Sequence, residues 1–222
     1  MSAAYDDHGD LDGKFQGHGY SGRVVYAPVD DKTHVVHIGM AASREFPQDR
    51  SVQFSSTPEA GLTQTALVNT GKLLGTRSID RTGVEAGWMS GPLYAQGEYL
   101  RFSANRDAGL TRLTGNGFYV LGAWMLTGES RKYKDSYFVN TAPAHAYGAF
   151  ELALRYSELD LNDGGVVGGR QHDWTLGVNR YIGQQLKLQA DYVRAYANQS
   201  PANAYVAPVD PQVLEVRAQV CF

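Results

Sequence analysis

The feature that most constrains this chain is an alternation of apolar and polar residues with a period of two. The last ten residues, VLEVRAQVCF, alternate in this way, and so do QLKLQADY (185–192), FELALRY (150–156), HDWTLGV (172–178) and PLYAQGEY (92–99). A period of two predicts β-strands with one apolar and one polar face. In the last strand the apolar face consists of Leu214, Val216, Ala218, Val220 and Phe222.

The alternation extends over most of the chain, whereas helical periodicity appears nowhere over a useful length. Segments of about ten residues also match the length of a strand that crosses a bilayer at a tilt. The sequence therefore predicts an all-β, antiparallel fold. We expect about eleven strands, near residues 18–28, 32–43, 49–56, 66–74, 81–90, 92–104, 115–127, 146–160, 170–182, 185–197 and 212–222.

The connections between these strands fall into two classes. Residues 90–92 and 183–184 are tight turns, whereas 103–115, 160–170 and 197–212 are long, polar and rich in Gly or Pro. Short turns on one rim and long loops on the other are typical of an antiparallel transmembrane β-barrel with periplasmic turns. A mean hydropathy of -0.35 does not exclude such a barrel, because polar residues that face the lumen lower the hydropathy of every strand.

The order of up and down strands bears on the ends of the chain. With Phe222 at the periplasmic rim, the strand at 18–28 starts outside, so the acidic segment 1–16 is expected to be the remnant of an extracellular loop. Bacterial barrels usually have an even number of strands. The odd count, and a start without a basic and apolar leader, predict the C-terminal part of a larger exported barrel; a cytosolic protein is the other option.

Composition excludes several classes of function. A net charge of -3 and a pI of about 6.1 give no electrostatic case for binding nucleic acid. Cys221 is the single cysteine, so the chain cannot form an internal disulfide or a cysteine zinc site. No P-loop, dinucleotide fingerprint or H-E-x-x-H motif is present, so we predict no catalytic residue and no cofactor.

The polar faces of the strands supply the candidate functional residues, which we expect to point into a water-filled lumen. The pore-lining candidates are Arg23, Glu85, Glu98, Glu151, Arg155, Lys187, Asp191, Glu215 and Arg217, with Asp173 on the same face. An anion-selective pore needs rings or ladders of Arg and Lys. This set is mixed and slightly acidic, and mid-strand charges of this kind often cross-link neighbouring strands.

Several separated motifs resemble the phosphate-selective porin O and P family. They are RYSELDLNDGG (155–165), GRQHDWTLGVNRYI (169–182), TGVEAGWMSGPLYAQGEYLR (82–101), GFYVLGAWMLTGESRKY (117–133) and the final aromatic residue. The resemblance implies that residues 17–222 are barrel strands of an outer-membrane porin, usually a homotrimer of barrels with about 16 strands each. Small solutes, with anions or phosphate preferred, and outer-membrane lipid are then the expected partners. The constriction loop is expected to lie in a missing part of the barrel.

The remaining motifs are weaker. His34 and His37 face opposite sides of a strand and are poor co-ligands for a metal. The acidic stretches 6–13 and 160–165 lack the spacing of a calcium loop and are interpreted as solvated loops or turns, so we predict no metal site. Trp88, Trp124 and Trp174 could form interfacial girdles or pack in a soluble core.

Two other functions stay open at this point. An outer-membrane β-barrel enzyme would need Ser or Thr beside His145 or His172, and no such pairing is evident. A soluble ligand-binding β-barrel would need a polar outer face, whereas the face predicted to be outside carries the apolar residues.

Overall fold

The computed structural model describes residues 17–61, 63, 65–139, 143–183, 185–198 and 208–220. Every regular element among these residues is a β-strand, so the predicted all-β fold is confirmed. This part of the chain contains no helix long and apolar enough to cross a membrane. The acidic segment 1–16, the middle of the predicted 197–212 loop, Cys221 and Phe222 lie outside the described residues.

The described residues form fifteen strands. In chain order they are β1 (His18–Asp30), β2 (His34–Phe46), β3 (Ser51–Val52), β4 (Ser55–Ser56), β5 (Val68–Asn69), β6 (Leu73–Leu74), β7 (Thr76–Ser90), β8 (Leu93–Arg106), β9 (Leu113–Met125), β10 (Lys132–Lys134), β11 (Tyr137–Val139), β12 (Ala149–Asp163), β13 (Val166–Ile182), β14 (Leu186–Asn198) and β15 (Gln212–Val220). Nine long strands build one antiparallel sheet in the order β1-β2-β7-β8-β9-β12-β13-β14-β15. All nine had been predicted, although the alternation is less clear in β1, β2 and β9 than in the other six.

The strands predicted at 49–56 and 66–74 are wrong as members of this sheet. Their residues form two short pairs, β3 with β6 and β4 with β5, that belong to separate two-stranded sheets. The apolar side chains of this region mimic strand alternation, but they are buried in a cluster against the large sheet. Removing two strands from the count leaves the up-and-down order of the other nine unchanged.

The two faces of the large sheet have opposite character. One face, here called the bare face, exposes apolar side chains, among them Trp124, Trp174 and Val216 at 50%, 50% and 73% of their area. The other, the covered face, carries the polar side chains of the alternation and lies under two inserted segments. In a transmembrane barrel the apolar residues face outward and the polar residues face the interior, and a soluble barrel has the reverse arrangement. The three tryptophans accordingly do not pack in a core.

The two inserted segments leave opposite ends of the sheet. We call the end with the tight β1–β2, β7–β8 and β13–β14 connections the turn end, and the other the loop end. Insertion A (47–75) joins β2 to β7 at the loop end, and insertion B (126–148) joins β9 to β12 at the turn end. Insertion B contradicts the prediction that only short turns lie on that rim.

The long loop predicted at 160–170 is also wrong. Strands β12 and β13 continue through this region and meet at a two-residue turn, Gly164-Gly165, where Gly164 has a φ of 54°. Glycine adopts this left-handed conformation without the steric cost that a side chain brings. A glycine-rich composition therefore marked a tight hairpin rather than a loop.

The sheet is open in the described part of the chain. Strands β1 and β15 each have one partner in the sheet, so each leaves an edge with unpaired backbone groups. The closure of a barrel, its strand number and its crossing of a membrane stay predictions.

Candidate functional site

A cavity of about 530 Å³ lies between the covered face and the tip of insertion A. Strands β12 to β15 form its wall, because side chains at alternate positions of each strand point toward it. Five of the nine predicted pore-lining residues border it, namely Glu151, Arg155, Lys187, Asp191 and Arg217, and so does Asp173. Residues far apart in sequence thus meet in one polar, water-accessible space.

Insertion A reaches this cavity through Glu59. The Glu59 carboxylate forms an ion pair with Arg155, with Oε1 3.0 Å from Nη2. The backbone N–H of Glu59 donates to Asp173 Oδ2 at 2.9 Å, and that of Gly61 donates to Glu215 Oε2 at 2.6 Å. The wall carboxylates therefore hold the backbone of the insertion rather than facing water alone.

Insertion B reaches the same cavity through Arg131. Its guanidinium Nη2 donates to both carboxylate oxygens of Glu151, at 2.8 and 2.7 Å. Glu151 is only 1% exposed, and it also accepts a hydrogen bond from Asn179 at 2.9 Å. A buried carboxylate is costly unless it is paired and hydrogen-bonded, and Arg131 supplies the pairing charge.

The turn end of the cavity carries two further cations. The ammonium of Lys187 lies 5.4 Å from the centre of the Tyr181 ring. Arg217 donates to the neutral side chain of Gln189 at 2.8 Å, and Gln189 donates in turn to Asp191. Neither cation forms an ion pair within 4.0 Å among the described residues.

Of the other four predicted residues, Glu215 holds the tip of insertion A, and Arg23, Glu85 and Glu98 form a second cluster near β1, β2 and β7. Arg23 lies 2.6 Å from Glu85, although β2 separates their strands. The intervening residue is Gly39, and a Cβ there would collide with the Glu85 side chain. Glu98 lies beside this pair and accepts a hydrogen bond from Tyr119 at 2.7 Å.

The hairpin of β10 and β11 covers this second cluster. His37, only 5% exposed, lies between Tyr133, 2.8 Å from its Nδ1, and Glu85, 3.1 Å from its Nε2. The guanidinium of Arg23 lies 4.4 Å from the ring centre of Tyr137. The ring of Phe138 fills a notch at Gly87, where a Cβ would lie 2.5 Å from it.

Two carboxylates in the insertions have a lowered pKa. That of Asp49 is lowered chiefly by a hydrogen bond from the Ser51 hydroxyl, at 2.6 Å. Burial raises the pKa of Glu129, but hydrogen bonds from Thr127 and from the backbone of Ala144 outweigh it and leave a net decrease. Both groups therefore stay ionised at neutral pH and add negative charge to the insertions.

Sequence reasoning missed the partners that the insertions contribute, above all Glu59, Arg131 and Tyr133. The expectation that the constriction loop lies outside this chain stays a prediction; insertion A lies against the covered face here. The run S-S-T-P-E-A-G (55–61) is a turn composition, and it could have identified this tip as a loop. The ion pairs of Arg155 and Glu151 join the wall to the insertions, so the expectation of cross-links between neighbouring strands was wrong for these two residues.

The arrangement is that of a polar cavity with fixed charges. The described residues contain no group of three or more His, Cys, Asp or Glu side chains placed to hold a metal ion. What the covered face offers is a set of carboxylates, guanidinium groups and amides around an open space. Such groups replace the hydration shell of a passing solute and sort solutes by charge.

Comparison with known proteins gives a consistent result. The model of the family described as phosphate-selective porin O and P matches residues 2–222. An uncharacterized protein of Caulobacter vibrioides is 33% identical over 165 residues, which cover 71% of this chain and 33% of that protein. Porin O of Pseudomonas aeruginosa is 28% identical over 206 residues, which cover 78% of this chain and 46% of that protein. The chain thus spans about a third to a half of the length of these curated relatives.

Proposed function

Because the chain belongs to the phosphate-selective porin O and P family, we propose that its sheet forms part of the wall of a bacterial outer-membrane porin. The resemblance carried by the sequence motifs is confirmed by this membership. In the proposed function, small hydrophilic solutes diffuse through a water-filled lumen without any catalytic group or cofactor.

The bare face is the observation that carries this proposal. Strands β12 and β13 expose Leu154, Trp174, Leu176 and Val178 at 46–50% of their area, while polar residues of the same strands are buried on the covered face. A soluble ligand-binding barrel would expose this apolar surface to water, which favours association. Contact with outer-membrane lipid removes that cost, so the bare face fits a membrane-facing wall.

The covered face supports the assignment of the lumen. We assign the nine predicted residues, from Arg23 to Arg217, to the channel wall, with insertions A and B narrowing the passage from opposite ends. This wall carries both acids and bases, and the ion pairs with Glu59 and Arg131 neutralise part of its charge. A preference for anions or phosphate is the part of the proposal that rests on the family alone.

Closure requires strands beyond the nine in this sheet. Strands β1 and β15 are an even number of positions apart in an antiparallel order, so they run in the same direction. An antiparallel ring therefore closes only when an odd number of strands is added between them. We propose that the additional strands come from the remainder of a barrel of about 16 strands, and that three barrels associate as a homotrimer.

The test of the channel is conductance in planar bilayers, with protein purified in detergent from the complete reading frame that contains this sequence. We expect stepwise conductance increments that scale with bulk KCl conductivity, as in a water-filled pore. A protein that stays monodisperse without detergent and produces no steps would contradict the proposal and favour a soluble barrel.

Selectivity and assembly are tested separately. Under a KCl gradient, a reversal potential that favours chloride supports the anion preference, and competition by phosphate would extend it to phosphate. A potential that favours potassium removes the anion preference but leaves the porin. Native mass spectrometry in detergent tests the trimer.

A further inference from the structure

We propose that Glu59 is a tethered counter-ion that occupies an oxyanion site on the channel wall at Arg155 and thereby weakens the preference of the channel for anions. This inference rests on the proposed porin function and concerns one residue of insertion A. It assigns to Glu59 a role in solute selection rather than in stability alone.

The first support is the geometry around Arg155. Its guanidinium lies 4.1 Å from the ring centre of Tyr119, which fixes the plane of the cation on the wall. The Glu59 carboxylate lies 3.0 Å from Nη2, and the Thr175 hydroxyl donates to its other oxygen at 3.5 Å. A guanidinium with a neighbouring hydroxyl is a set of donors suited to carboxylate or phosphate oxygens. Glu59 stands where such a solute oxygen would bind.

The second support is an unused donor on the same guanidinium. Arg155 Nε is buried and has no hydrogen-bond partner among the described residues. A buried unpaired donor costs free energy that a second acceptor oxygen would recover. The Glu59 carboxylate contacts this guanidinium through Nη2 and leaves Nε unpaired, whereas an oxyanion bound to both nitrogens would satisfy Nε as well. Glu59 therefore occupies the oxyanion site at Arg155 without satisfying all of its hydrogen-bond donors.

The third support is how the tether is held. The backbone of the tip is fixed independently of the Glu59 side chain, by Asp173 at the Glu59 N–H, by Glu215 at the Gly61 N–H, and by Gln171, which donates to the Thr57 carbonyl at 3.1 Å. A group held by a short tether competes as if it were present at a concentration on the order of millimolar. A solute anion must displace this carboxylate to bind Arg155. The backbone contacts also mean that the Glu59 side chain can be changed while the tip stays in place.

The charge balance of the cavity explains why the charge of Glu59 should affect ion selectivity. Four cations line the cavity, namely Arg131, Arg155, Lys187 and Arg217, and four carboxylates oppose them, namely Glu59, Glu151, Asp173 and Asp191; Glu158 also borders the cavity but is paired with Arg170 at 2.5 Å. Removing the charge of Glu59 leaves the cations in excess by one and leaves Arg155 without its ion-pair partner. Anions should then enter more readily and cations less.

The experiment compares Glu59→Gln with the unchanged protein in bilayers under a KCl gradient. Freeing an ion pair of partly exposed residues is worth about 0.2–1 kcal/mol, so we expect the chloride-to-potassium permeability ratio to rise roughly 1.5- to 5-fold. The matched control is Asp80→Asn, which removes one carboxylate from the Arg44–Asp80 ion pair on the bare face. We expect Asp80→Asn to leave the ratio unchanged.

A second measurement does not need conduction. Titration calorimetry with inorganic phosphate on the detergent-solubilised protein should show tighter binding for Glu59→Gln by a similar factor. Adding Arg155→Gln to that variant should abolish the gain. Channels that conduct with the same ratio in both proteins overturn the tethered counter-ion but not the porin. If no channel forms, the porin is overturned, and equal phosphate affinities of the two proteins overturn the inference on Glu59 as well.

Discussion

Insertions A and B both cover the polar face of one sheet, but different forces hold them. Insertion A is attached through its backbone and an apolar cluster, in which Val68 is fully buried and Leu73 is 4% exposed. Insertion B is attached through a few side chains, chiefly Arg131, Tyr133 and Phe138. An apolar cluster distributes its stabilising effect over many contacts. The few side-chain contacts of insertion B, here called the latch, each carry a large share of the attachment, so losing one of them matters more. We therefore expect insertion B to be released by one substitution and insertion A to loosen gradually.

The largest effect is expected from Arg131→Met. Glu151 would stay buried without the guanidinium that pairs its charge, and breaking a buried pair in this way costs about 3–5 kcal/mol. We expect the free energy of unfolding, measured with urea in detergent micelles, to fall by this amount. Trypsin should also cut faster at Lys132 and Lys134 of the released hairpin, while cleavage at Lys72 of insertion A stays unchanged.

A double substitution separates the buried charge from the lost packing. Arg131→Met combined with Glu151→Gln removes both charges, so the unpaired carboxylate disappears. We expect this protein to regain most of the lost stability. An equal loss in the single and double variants would mean that the ion pair does not latch insertion B.

The second-largest effect is expected from Leu161→Ala, which tests how the wall beneath insertion A holds it. Leu161 on β12 is 1% exposed and belongs to the apolar cluster with Val68 and Leu73. Leu161→Ala should lower the free energy of unfolding by about 3 kcal/mol, because a buried leucine loses its contacts and leaves a cavity. Hydrogen exchange should speed up at the amides of insertion A and stay unchanged in insertion B.

Leu154→Ala is the matched control on the same strand. Leu154 lies on the bare face and is 49% exposed, so its truncation leaves no internal cavity. We expect a change below about 1 kcal/mol. Equal losses for Leu154 and Leu161 would refute the assignment of the two faces.

The large sheet was predictable because the alternation of apolar and polar residues is a local pattern that extends over many residues. Most of the nine strands keep a two-residue period over much of their length, and tight turns such as Gly91-Pro92 mark their ends. The insertions were not predictable in the same way. Val52 and Phe54 alternate like a strand, but they are buried against other elements, and only tertiary contact decides this.

The residues of the candidate site also fall into those that local periodicity predicts and those that only tertiary contact brings together. Arg155 and Glu151 were found because strand parity places them on one face. Their partners Glu59 and Arg131 lie on insertions whose course depends on anchors contributed by the wall. A single sequence contains no period that connects residue 59 with residue 155, so the pairing became visible only in three dimensions.

The smallest effect is expected at the notch that receives the latch. Gly87 has no side chain, and a Cβ there would lie 2.5 Å from the Phe138 ring, so Gly87→Ala forces the ring outward. Overpacking of this kind typically costs about 1–3 kcal/mol, and we expect the lower part of this range because the hairpin can move away from the wall. Trypsin cleavage at Lys132 should accelerate without a change in insertion A. Shortening the ring in Gly87→Ala with Phe138→Leu should slow the cleavage again, because the smaller side chain leaves room for the new methyl group. If Gly87→Ala alone leaves cleavage unchanged, Phe138 does not hold insertion B, and the latch consists of its polar contacts alone.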